Sequence, residues 1–110
     1  MIRTTNRNAR EFVQSRCPFR ANNISGDWET HPAGSFFVVR SYEWWVLFAY
    51  HLPTMQWYEN VSKHSPTTSK HRTQTHPHEL TVTVDARTIL DVLQSGATAV
   101  VLRKDKGEME

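Results

Sequence analysis

Ser65 to His78 is the stretch of the chain best equipped for chemistry. It reads Ser-Pro-Thr-Thr-Ser-Lys-His-Arg-Thr-Gln-Thr-His-Pro-His and has no apolar side chain apart from its two prolines. Ser65 ahead of Pro66 is a helix-start signal, and Pro77 is a stop. At helical spacing Thr67, Lys70, His71 and Gln74 share one face. Hydroxyls and free backbone N–H groups near such a start, including those of Thr67, Thr68 and Ser69, suit a phosphate or a carboxylate. Arg72 can grip an anion with two parallel hydrogen bonds, and Lys70 acts as a point charge. A plainer reading stands against this one and outweighs it. The hydroxyls cap backbone groups, and Lys70 and Arg72 are solvated. A helix polar all round holds only if its neighbours hold it. The segment is therefore expected to be a short polar helix or ordered loop, pinned to the body of the protein by its hydroxyls and cations.

The histidines raise two more chemistries. His76 and His78 with His71 or His64 offer imidazole ligands, but no Asp or Glu lies within the segment. No metal site and no cofactor is assigned. Two imidazoles among His71, His76 and His78, acting as acid and base with Lys70 or Arg72 on the phosphate, would make a small metal-free nuclease or hydrolase. Spacing alone does not bring two histidines together, so no catalytic residue is assigned. The chain has no glycine-rich phosphate loop, nucleophile elbow or paired-carboxylate signature. Its one cysteine, Cys17, excludes an intrachain disulfide and a zinc site with two Cys ligands. Cys17 reads as a small core residue.

Charge is unevenly spread. Residues 1–20 hold five arginines and one acid, giving +4, and residues 62–78 hold three cations and no acid, giving +3, against a net charge of +2 for the whole chain. The two basic segments either converge or point apart, and charge counting does not decide. If they converge, Arg7 and Arg10 join Thr67, Thr68, Ser69, Lys70, His71, Arg72 and Gln74 on one binding surface.

The elements that must position these residues follow from periodicity. Asn6 to Arg16 reads as a short helix capped by Thr5 or Asn6, docking through Phe12 and Val13. Arg20 to Gly34, rich in turn formers, reads as loop. Ser35 to Tyr42 and Trp44 to Leu52 are strands with apolar runs and no alternation, as expected for strands covered on both faces. Gln56 to Val61 returns as a third strand. Glu79 to Val84 alternates, with Leu80, Val82 and Val84 on one face. Asp85 caps a helix over Ala86 to Ser95, whose inner stripe is Ile89, Val92 and Leu93 and which Gly96 stops. Ala97 to Arg103 is expected as a final strand.

The sum is one α+β domain over residues 1–104 with a charged tail at 105–110: a mixed, mainly antiparallel sheet of about five strands with two main helices. The longest apolar run, Trp44 to Tyr50, is far short of the roughly 20 residues that cross a bilayer, and Arg3, Arg7 and Arg10 break any leader-like stretch. No membrane partner is expected. Trp44, Trp45, Trp57 and Tyr58 read mainly as core, with any leftover exposed area pointing to a protein partner or a homodimer.

Cys17-Pro18-Phe19-Arg20-Ala21-Asn22-Asn23, Phe37 to Tyr42, Trp57-Tyr58-Glu59-Asn60 and Thr67-Thr68-Ser69-Lys70-His71 resemble a family of short uncharacterised proteins encoded by actinobacteriophages. The resemblance spans roughly residues 3–78. It implies a phage origin and a setting in the host cytoplasm, and it carries no functional residues. The expected function is a non-enzymatic binding module that contacts a host or phage protein in a host-takeover or counter-defence role. The alternative is a nucleic-acid-binding protein using the basic 65–76 segment with Arg7 and Arg10. A net charge of +2 is weak for a dedicated nucleic-acid binder.

Overall fold

The most apolar part of the chain, Phe36 to Tyr50, forms the middle of the sheet. The computed structural model describes residues 2–100. In chain order the elements are β1 (Ile2–Arg3), a 3-10 turn (Asn6–Asn8), α1 (Ala9–Gln14), β2 (Phe19–Arg20), β3 (Ile24–His31), β4 (Gly34–Ser41), β5 (Trp45–His51), β6 (Gln56–Asn60), α2 (Pro66–Thr75), β7 (Thr81–Val84) and α3 (Ala86–Ser95). The fold is α+β. Its sheet has seven strands rather than about five, and they lie in the order in which they occur along the chain. From β2 to β6 every pair is antiparallel, and the two outer pairs, β1 with β2 and β6 with β7, are parallel.

This pattern fixes where the helices go. Both parallel joins run in the same direction and step the same way across the sheet. Right-handed crossovers therefore place both connecting helices on one face. Accordingly α1 buries Ala9 and Val13 against Phe37, Val39, Phe48 and Trp57, and α2 lies alongside it. The other face holds Phe36, Val38, Ala49, Tyr58 and Val84, and α3 closes it with Ile89, Val92 and Leu93. Strands apolar on both sides thus have helices on both sides, as their lack of alternation requires.

Three expectations need correction, and two short strands were not expected at all. Residues 24–31 are strand, not loop: Ile24 and Gly26 face the α1 side, and Asp27 and Glu29 face away. Gly26 hides the pattern. A Cβ there would lie 2.5 Å from Phe19 Cε1, so the position needs glycine because the Phe19 ring fills the place of a side chain. β1 and β2, two residues each, are too short to leave a periodic signal. Residues 97–100 are helical rather than strand, and the remainder of that expected strand and the 105–110 tail lie outside the described residues. Leu80 precedes β7 and is 94% exposed, so the inward alternation stops at Val82 and Val84.

Local signals elsewhere act as expected. Thr5 Oγ1 accepts from Asn8 N–H, Asp85 accepts from Thr88 N–H, and Gly96 ends α3 at φ 61°.

Candidate functional site

The polar segment is a helix, α2, and it is pinned. Ser65 and Thr68 form a reciprocal capping box at its start. Its C-terminal carbonyls are capped from α1: Arg10 donates to Thr73 O at 2.6 Å and to His76 O at 2.9 Å, and Gln14 donates to Pro77 O at 3.0 Å. A guanidinium at a helix C-terminus also suits the helix dipole. The two basic segments therefore converge, through Arg10.

The inward face is Thr68, His71 and Thr75; of the residues expected to share a face, Thr67, Lys70, His71 and Gln74, only His71 belongs to it. Thr75 donates to His71 O at 2.8 Å, closing its hydroxyl within the helix. His71 Nδ1 lies 2.7 Å from Ser41 Oγ on β4. Burial, together with the charge of Lys70, lowers the His71 pKa below its ordinary 6.5. Ser41 is fully buried, so this hydrogen bond ties α2 to β4 beneath the helix, out of reach of solvent.

Glu59, on β6, was not singled out by its sequence context. It faces the same side as Phe48, its neighbour across β5. The nearly buried carboxylate accepts from Thr81 Oγ1 at 2.8 Å, and Arg72 Nε (3.5 Å) and His76 Nε2 (3.2 Å) lie against it. Arg72 also donates to Asn60 O at 3.1 Å. His78 N–H donates to His76 Nδ1, so Nε2 carries the proton that faces Glu59. Both nitrogens of His76 are thus committed. An acid one residue from Tyr58, at period two from Trp57, was the readable sign of a polar group facing a core.

Of the remaining expected site residues, Thr67 and Lys70 are exposed and Ser69 is half-buried. Arg7 and Gln74 come together: they line one open groove with Arg3 and Arg20. Among the described residues, no group of three or more His, Cys, Asp or Glu side chains has metal-holding geometry.

The most exposed aromatic feature is the β4–β5 hairpin tip. Trp44 is 58% exposed. Its ring meets Trp45 and His64 edge-on, at 5.6 and 4.8 Å between centroids, and His64 stacks on Trp45 at 4.9 Å. Tyr42 packs on His71 at 5.5 Å. Tyr42 and Glu43 take φ of 54° and 69°, a left-handed backbone that bulky residues adopt at a cost of about 1 kcal/mol or more each. An Arg20–Glu43 ion pair of 2.7 Å spans from β2 to this tip. Trp57, by contrast, is core, and Trp45 is half-buried.

No family model, curated protein or solved structure matches the chain.

Proposed function

We propose that the chain is a small non-enzymatic binding module whose contact surface is the β4–β5 hairpin tip, and that its partner is a protein. One observation carries this reading. A tryptophan is held out in solvent on a strained turn, supported from behind by Trp45 and His64. Tryptophan and tyrosine on rigid supports are the side chains that anchor protein interfaces. Backbone strain of this kind gathers where a side chain is held for contact. The groups suited to catalysis support the same reading, because Glu59, Arg72 and His76 are spent on one another or on backbone, and His71 Nδ1 is spent on the buried Ser41 hydroxyl. The resemblance to actinobacteriophage proteins sets the partner in an actinobacterial host, in a takeover or counter-defence role.

The test is affinity capture from nuclease-treated host lysate with the wild-type chain and with Trp44→Ala. The wild type is expected to capture a defined protein that Trp44→Ala loses, with Tm unchanged because the side chain is largely solvated. Capture of the same protein by both chains, or capture that vanishes on nuclease treatment, overturns the proposal.

A further inference from the structure

A groove lies between the first strand pair and α2. Its volume is about 700 Å³, within the range of roughly 300–1,000 Å³ typical of small-molecule pockets. Arg3, Arg7, Arg20, Asn6, Asn22 and Gln74 line it, and no acid does. Three arginines reach it from three elements. The parallel register sets Arg3 of β1 directly beside Arg20 of β2. Like charges side by side across strands are unfavourable unless something negative lies between or near them. Glu43 answers Arg20 alone. Among the described residues neither Arg3 nor Arg7 has an acidic partner.

A second observation comes from the α2 side. Gln74 Oε1 is the buried side-chain polar atom that has no hydrogen-bond partner among the described residues. A buried acceptor left unmatched costs about 1–3 kcal/mol, and a donor is what would satisfy it.

We propose that this groove binds a phosphate-bearing ligand that also presents an N–H or O–H donor, the combination a nucleotide offers. The guanidinium forks of Arg3 and Arg7 match phosphate oxygens, and the Gln74 amide, turned toward the groove it lines, accepts from the base or sugar. The same chemistry is available from a free nucleotide and from a nucleotide within a single strand. The site is independent of Trp44.

The experiment titrates inorganic phosphate, a nucleoside monophosphate and a short single-stranded oligonucleotide into the full chain at low salt. The nucleotide or the oligonucleotide is expected to bind saturably and more tightly than phosphate, and the tighter of the two identifies the source. Affinity for the oligonucleotide should fall steeply with added salt. The double variant R3A/R7A should weaken binding by about tenfold or more. Arg87→Ala, on exposed α3 surface across the sheet, should stay within about twofold of wild type. Gln74→Met should weaken the nucleotide severalfold and leave inorganic phosphate unchanged. Trp44→Ala should bind as wild type, which separates this site from the hairpin tip. The proposal is overturned if no probe binds saturably, if R3A/R7A stays within about twofold of wild type, or if phosphate alone binds as tightly as the nucleotide.

Discussion

Two helices of equal length, α2 and α3, lie on opposite faces of one sheet and are held by different forces. Each has 10 residues. α3 buries Ile89, Val92 and Leu93 among Phe36, Val38 and Tyr58, and its attachment is hydrophobic. α2 has no apolar residue beyond Pro66 and is attached by directed bonds: Arg72 to Asn60 O and Glu59, His71 to Ser41, and Arg10 to its last carbonyls. Area burial tolerates small shifts, because it has no direction. A set of hydrogen bonds around one carboxylate does not, because each partner left unpaired in a poorly solvated place is costly. The difference teaches that a segment without any apolar stripe becomes a fixed layer when the sheet beneath it supplies acceptors.

Breaking the hydrophobic side should have the largest effect. Ile89→Ala removes a buried side chain and is expected to cost about 3 kcal/mol, equally at neutral and mildly acidic pH, by urea denaturation. Breaking the polar side should cost somewhat less. Glu59→Gln keeps the shape but leaves Arg72 without its counter-charge and gives His76 Nε2–H an uncharged acceptor. A fully buried broken pair costs about 3–5 kcal/mol, and because the Arg72 side chain is 26% exposed and can rehydrate, about 2 kcal/mol is expected. A Glu59→Gln protein as stable as wild type would mean that α2 is held by packing after all.

The smallest effect sharpens the contrast through pH. His71 has its pKa lowered by burial and by Lys70, so the folded state favours the neutral imidazole. The unfolded chain binds that proton first. This contribution is complete above 6.5 and is lost as pH falls from there through the folded value. Glu29 acts in a lower window. Burial pushes its pKa up, but hydrogen bonds and charge from Arg40 and His31 outweigh this and lower it, so its contribution fades only below 4.5. Between about pH 7 and pH 5, wild type should therefore lose stability more steeply than His71→Gln. Parallel curves would remove His71 from the account.

The same contrast explains what could be read from the residues. α3 was legible because Ile89, Val92 and Leu93 repeat at helical spacing between Asp85 and Gly96. The ends of α2 were legible from Ser65 and Pro66, and so was its need for anchoring. Its anchors were not, because Glu59 and Ser41 lie on strands 30 or fewer residues away and only the sheet brings them under the helix. Which face of α2 turns inward was not legible, because nothing apolar marks Thr68, His71 and Thr75. β3 was missed because Gly26 yields its side-chain place to Phe19. Arg7 and Gln74 line one groove, a convergence that charge counting left open. Arg3 and Arg20 were invisible as a pair, since their adjacency is a property of strand register.

Strands that pair in chain order also set a sequence of events. From β2 to β6 each strand meets a partner already made, across a short connection, so no strand in the meander must search for a distant mate. The joins to β1 and β7 are slower closures, since each requires a seated helix. α2 has nowhere to seat until Ser41 and Glu59 stand in their strands. β7 and α3 are therefore expected to arrive after the meander, and pulse-labelling hydrogen exchange should show β4 and β5 protected before β7; until α3 docks, the face of Phe36, Val38 and Tyr58 has no helix over it. Aggregation during refolding is therefore expected to start from that face, the one opposite the polar helix.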